Sequence, residues 1–315
     1  MSLSVPRWLL LALPALVLPL LVVRRRNSKR SKKIPSHIER VLIIGATSGI
    51  GRTLARQYAG LGVRNLCIVG RREGLVAEVV DECSSMRTVT EVIGVPGDFV
   101  DPKAMVRVRD EIVRAWGGLD TIIVAAGVSA LRPLMEVGGD SADGDFDVER
   151  IQRIVDIAKR AADGNFVGPL VAAVTFIPLL ESTSPSPSIL LVNSLASVIP
   201  APTRSLYAST KSASLLLYQA LSIEHPHIAF TGLLPSTVEG DFRASAVDGG
   251  HTREAEPNKS GLRREAVARR CMTAIERGEK NVFMPWSMGL AHLAYWMVPG
   301  LVEAQARKKY RFKAA

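Results

Sequence analysis

From Arg40 onward the chain alternates short, almost wholly apolar runs with longer stretches in which apolar residues recur every three or four positions. The run RVLIIG (40–45) reads as a buried strand, residues 50–61 as a helix and NLCIVG (65–70) as the next strand. VTEVIGV (89–95) follows, then a helix over 102–116 and a fourth strand in LDTIIVAAG (119–127). A long helix over 148–180 leads to the strand SILLVNS (188–194), and a helix around Tyr207 leads to IAFTGLLP (228–235). A helix near 264–276 and the strand NVFMP (281–285) end the series. Strict alternation of elements of this size predicts an α/β fold, a Rossmann-type doubly wound parallel sheet with helices on both faces. Ligands of such sheets bind beyond the carboxyl ends of the strands.

Two polar segments interrupt the pattern: residues 137–149, rich in Gly and Asp, read as a surface excursion, and residues 241–262 as a lid. Before the alternation lies WLLLALPALVLPLLVV (8–23), sixteen residues without a charge. As a helix it would reach about 24 Å, short but usable against a hydrocarbon core of about 30 Å. Only Arg7 precedes it, which disfavours a cleaved signal peptide, and RRRNSKRSKK follows, which places that flank in the cytosol. On this reading the chain divides into a membrane anchor and basic linker (1–37), a single α/β domain (38–285) and an apolar then basic C-terminal segment (286–315). The endoplasmic reticulum is the expected membrane, with the domain facing the cytosol; the mitochondrial outer membrane suits the same anchor.

The net charge of +10 does not describe the body. Seven positives sit in 24–33 and five in 307–313; setting those twelve and Arg7 aside turns +10 into −3. With 5% aromatic residues and no basic stripe, nucleic acid is not an expected partner. Cys67, Cys83 and Cys271 are an odd, unpaired set that reads as reduced core thiols, and no His or Cys spacing suggests a metal.

The chemistry sits at strand ends. GATSGIG, comprising Gly45, Thr47, Ser48, Gly49, Ile50 and Gly51, follows the first strand and opens the first helix, where glycines and free N–H groups accept a pyrophosphate. The second strand ends in VGRRE, so Arg71 stands where a carboxylate would select NAD; a cation there suits the 2′-phosphate of NADP. Farther on, Ser194 precedes Tyr207 by thirteen residues and Lys211 follows by four. Tyr-x-x-x-Lys alone is common on helix surfaces.

Together these residues resemble the short-chain dehydrogenase/reductase family over residues 41–284. Gly45, Gly49 and Gly51 match its glycine motif, Asp98 its adenine-side aspartate, Asn165 its helix-borne asparagine, and Ser194, Tyr207 and Lys211 its catalytic residues. The resemblance implies that NADP(H) supplies the hydride and Tyr207 exchanges the proton, with a phenol acidified by Lys211. Ser194 would hold the substrate oxygen, and Asn165 would place a relay water. It also implies cofactor contacts from Gly127, Pro235 and Thr237. Two departures stand out: VAAG (124–127) replaces an Asn-Asn-Ala-Gly, and Pro235-Ser236 with Gly240 replaces a Pro-Gly with a threonine. These leave open a cofactor-binding scaffold or redox sensor with little turnover. The crowded apolar residues of 286–298 fit a core helix, a homodimer surface or a membrane contact. The membrane-associated hydroxysteroid and ketosphinganine-type members that the chain resembles imply a lipophilic ketone or alcohol (sterol, sphingoid or long-chain acyl) as substrate.

Overall fold

The computed structural model describes residues 30–86, 91–138, 147–250 and 257–312; the expected anchor at 8–23 lies outside them, as do 139–146 of the acidic excursion and 251–256 of the lid. Seven strands form one parallel sheet: β1 (Arg40–Ile44), β2 (Asn65–Gly70), β3 (Glu91–Pro96), β4 (Thr121–Val124), β5 (Ser188–Val192), β6 (Ala229–Pro235) and β7 (Asn281–Met284). Their spatial order is β3-β2-β1-β4-β5-β6-β7. The order reverses between β1 and β4, where Ile44 pairs with Val69 on one side and Val124 on the other. A crevice opens at such a reversal, beyond the strands' carboxyl ends.

Because side chains alternate along a strand, β1 feeds two cores. Val41 and Ile43 join the cluster built with α1 (Gly49–Gly60), α2 (Glu73–Ser84) and α7 (Arg264–Arg277). Leu42 and Ile44 join the other, with α3 (Pro102–Trp116), α5 (Gly168–Thr183) and α6 (Ser205–Glu224). All four residues are buried, which explains why β1 is apolar on both faces. Between α3 and α5 comes α4 (Val148–Ala162); after β7 come α8 (Met288–Met297) and α9 (Pro299–Tyr310).

The expected strands and helices are present, and the structure adds α2. That helix buries Val76, Val79 and Cys83 at helical spacing, but its valines and Gly74 weaken the helical signal. The long helix expected over 148–180 is α4 and α5 joined through a π turn at Asp163–Val167, where the Gly168 N–H reaches the Asp163 carbonyl. The whole run, Val148–Thr183, is long and apolar enough to cross a membrane. Yet Ala172, Phe176 and Leu180 lie in the core, so α5 is a structural helix of the domain.

A charged clasp closes the opposite end of the sheet. Arg40 at the start of β1 makes two bonds of 2.9 Å to the two Asp120 oxygens, and its backbone N–H adds one at 3.0 Å. Arg30, itself buried, donates to the carbonyls of Ser186 (2.8 Å) and Asp120 (3.1 Å) and pairs with Glu39. Glu39 also accepts from the Thr121 hydroxyl at 2.6 Å. Burial pushes the Asp120 carboxyl up, but hydrogen bonds from Arg40 and Ser184 outweigh it and hold the group below its usual value.

A folded value below the unfolded one of about 3.9 gives stability that is present above that value and lost as pH falls through the folded one. Asp120→Asn should therefore cost about 3 kcal/mol near neutrality, with the gap to wild type narrowing in strong acid. Urea titrations at the two conditions check this, and equal stabilities near neutrality would contradict it.

Candidate active site

The loop after β1 makes the first wall of the site. Gly45 has φ +85°, and a Cβ there would sit 2.6 Å from the Ala126 backbone nitrogen, so no other residue fits. The Gly45 and Ala46 N–H groups bond to the Val69 carbonyl (2.9 and 3.1 Å), while Ala125 and Ala126 bond to that of Ile44 (2.9 and 3.1 Å). Main-chain bonds thus join the ends of β1, β2 and β4 where VAAG lacks asparagines. The first N–H groups of α1 have no partner within the helix, and that end of α1 borders the crevice. Ser48 and Gly49 line it; so do Arg71 and Arg72, both exposed, and half-buried Asp98. Arg72 is a second cation that the sequence reading did not single out. Arg52 also lines the crevice, but it is paired with Glu78 and Glu82 across α1 and α2.

The second wall comes from β5 and α6. Ser194 follows β5 and its hydroxyl accepts from the Ala196 N–H at 3.2 Å, which leaves the hydroxyl hydrogen to turn toward a ligand. Helical spacing stacks Tyr207 and Lys211 on one face of α6, and both are buried. Lys211 donates from Nζ to the Val192 carbonyl at 3.1 Å. Burial depresses its ammonium below the usual lysine value; the neighbouring Tyr207 opposes the shift and Arg204 adds to it. The Tyr207 ring has the Arg204 guanidinium carbon 4.1 Å from its centroid and the Phe242 ring edge-on at 6.2 Å.

Asn165 occupies the π turn and is fully buried. Its Oδ1 accepts from the Val128 N–H at 2.9 Å, and its amide donates to the Val128 carbonyl (3.0 Å) and the Thr210 hydroxyl (3.1 Å). Both amide hydrogens are committed to protein, so a water-placing role does not draw on them. Asn193, unremarked in the sequence, is the brace of this wall. It accepts from Ser194 N at 2.7 Å and donates to the Lys211 carbonyl at 2.9 Å, holding the serine and the lysine helix together. Gly127 sits between the walls: a Cβ there would lie 2.9 Å from Asn165 Oδ1 and 3.1 Å from Lys211 Nζ.

The third wall is the segment after β6. Pro235 and Thr237 line the site, and the Thr237 hydroxyl accepts from Arg243 at 3.3 Å. Gly240 has φ +108° and its N–H is bonded to Asn258 at 2.7 Å. The described part of the lid is fastened down: the Asp248 carboxylate accepts from the Leu131 N–H (2.6 Å) and the Arg132 N–H (2.8 Å). The three walls enclose one cavity of about 1660 Å³, reaching from Arg71 past Tyr207 to Met288, Ala294, Val302 and Ala306 of α8 and α9. Ligand pockets usually measure about 300–1,000 Å³, so the space suits a dinucleotide and a second molecule.

The sequence pattern described as short chain dehydrogenase matches residues 39–249. An Arabidopsis thaliana protein named 11-beta-hydroxysteroid dehydrogenase-like 4A is 32% identical over 215 residues, 68% of this chain and 65% of that protein. The chain thus spans slightly under two thirds of that relative's length. Dehydrogenase/reductase SDR family member 7B from Bos taurus is 25% identical over 287 residues, covering 87% of this chain and 83% of the relative. Among solved structures, a short chain dehydrogenase/reductase from Burkholderia phymatum in complex with NAD superposes with a TM-score of 0.69 at 19% identity, over 84% of this chain and 96% of that one. An alcohol dehydrogenase from Thermococcus sibiricus complexed with 5-hydroxy-NADP gives 0.62 at 22%, over 78% and 94%.

Gly127→Ala tests how tightly this site is assembled. The added methyl must displace Lys211 or Asn165, so the folded state should lose at least about 1 kcal/mol in a urea titration, with an unchanged circular dichroism spectrum. Wild-type stability would show that the two walls are looser than their distances imply.

Proposed function

The chain belongs to the short-chain dehydrogenase family, and on that footing we propose that it is an NADP(H)-dependent oxidoreductase interconverting a ketone and a secondary alcohol on a lipophilic substrate of sterol, sphingoid or long-chain acyl type. The observation that carries this reading is the placement of Ser194, Tyr207 and Lys211 midway along one cavity, with glycine and arginine at one end and an apolar wall at the other.

The residues present fit a nicotinamide dinucleotide. The α1 N-terminus would hold the pyrophosphate, Arg71 and Arg72 a 2′-phosphate, and Gly127, Pro235 and Thr237, which line the same cavity, the nicotinamide. When bound, the cofactor supplies or accepts the hydride. The chain's own part is proton transfer and orientation. The Ser194 hydroxyl donates to the substrate oxygen, and the Tyr207 hydroxyl gives that oxygen its proton as the carbonyl carbon is reduced. Lys211 keeps a positive charge beside the phenolate left behind, and the proton returns to Tyr207 before the next cycle.

At the far end, Met288, Ala291 and Ala294 of α8 face the cavity, while Leu290, Leu293, Trp296 and Met297 are exposed on the same helix. Lys308 and Lys309 are exposed on α9. Apolar and aromatic residues followed by cations suit a membrane interface, which supports a body held at the endoplasmic reticulum by the segment at 8–23 and admitting an apolar substrate beside α8. Val155 and Val174 on the α4–α5 run and Leu216 and Ile223 on α6 are exposed apolar side chains that support a homodimer.

Two measurements test the proposal. Purified protein should bind NADPH at least about tenfold tighter than NADH, 1.4 kcal/mol, by fluorescence titration; equal affinities would remove the role of Arg71 and Arg72. It should oxidise NADPH faster with 2-tridecanone than with 2-butanone, and Tyr207→Phe should abolish turnover while retaining NADPH binding. Preference for the small ketone would defeat the lipophilic substrate, and a fully active Tyr207→Phe would defeat the site.

A further inference from the structure

Arg204 is a guanidinium held almost out of water at the entry to α6, three residues before Tyr207. Burial of such a group is costly, so its placement calls for a reason. The residue before it, Thr203, has φ 68°, a left-handed conformation that a β-branched residue rarely adopts, and the turn this produces leads into an inward-facing arginine. One Nη donates to the Ser129 hydroxyl at 3.0 Å, and Ser129 is itself fully buried. The Ser129 carbonyl in turn accepts from Val247 of the lid at 2.9 Å. The loop after β4, the lid and the α6 entrance thereby meet at one guanidinium, which stacks 4.1 Å from the centre of the Tyr207 ring.

We propose that Arg204 is a positioning residue of the reaction: its flat cation, anchored by Ser129, fixes the plane of the Tyr207 ring so that the hydroxyl stays aimed at the substrate oxygen. The proposal rests on the reading of Tyr207 as the proton donor. Arg204 itself makes and breaks no bond. Planarity matters as well as charge, because a guanidinium covers a ring face in a single orientation while an ammonium is a point charge on a flexible stem. Phe242 holds the ring edge-on from the lid, so Arg204 and Phe242 restrict it from two directions.

The full-length protein in detergent is assayed as wild type, Arg204→Met, Arg204→Lys and Ser129→Ala, with NADPH and 2-tridecanone. Both arginine variants should lose at least about tenfold in kcat, with KM for the ketone and the NADPH Kd within about twofold of wild type. Ser129→Ala should lose about threefold in the same constant. Wild-type kcat in Arg204→Met, or its recovery in Arg204→Lys, would overturn the inference while leaving the proposed function standing. No NADPH oxidation by wild type would instead count against the function. A second readout needs no substrate: with 3-fluorotyrosine incorporated, the Tyr207 resonance, identified by its loss in Tyr207→Phe, should be narrow in wild type and averaged over ring orientations in Arg204→Met. An unchanged resonance would overturn the inference.

Discussion

An ammonium group that water barely reaches sets the terms for the rest of the site. Lys211 is 3% exposed, its Nζ donates to the Val192 carbonyl, and its surroundings must supply what water no longer does. That requirement reaches across the sheet. Gly127 must lack a side chain to leave the ammonium room, Asn193 must tie the lysine's own carbonyl to the end of β5, and Asn165 must keep the backbone of Val128 in place beside it. Burial lowers the Lys211 ammonium below the usual lysine value, and the neighbouring Tyr207 works against that shift.

Much of this was legible in the chain. β1, β2, β4, β5 and β6 are apolar on both faces because helices cover both, and buried parallel strands leave that signature. The glycines around 45–51 follow from a turn and the Tyr207–Lys211 spacing from helical periodicity, both local geometry. What escaped notice is long-range. Nothing near Arg204 says that its side chain turns inward, because the partner that anchors it, Ser129, lies 75 residues earlier. Asp248 looks like any loop carboxylate until its donors, the N–H groups of Leu131 and Arg132, are known, more than 110 residues away in sequence. The α2 helix was missed for a different reason: β-branched residues read as strand until tertiary packing decides otherwise.

The VAAG departure shows how a fold absorbs a change in its expected side chains. Ala125 and Ala126 join β4 to β1 through their own N–H groups, and the methyl of Ala126 packs against the only kind of residue Gly45 could be. Main chain and close packing join the strand ends here without a carboxamide. The penalty is intolerance to bulk at Gly45.

The Arg30 clasp has a mechanical consequence. It joins the chain to the amino ends of β1, β4 and β5, whereas α8 begins just past the carboxyl end of β7. A membrane anchor at 8–23 would reach Arg30 through residues 24–29, a tether of at most about 20 Å when fully extended. A body tethered at one end of its strands and touching lipid at the other would have to recline, strands running along the bilayer surface. Lateral drag on the anchor would then be borne by the ion pairs at the base of the sheet, leaving the crevice at its far end free of load.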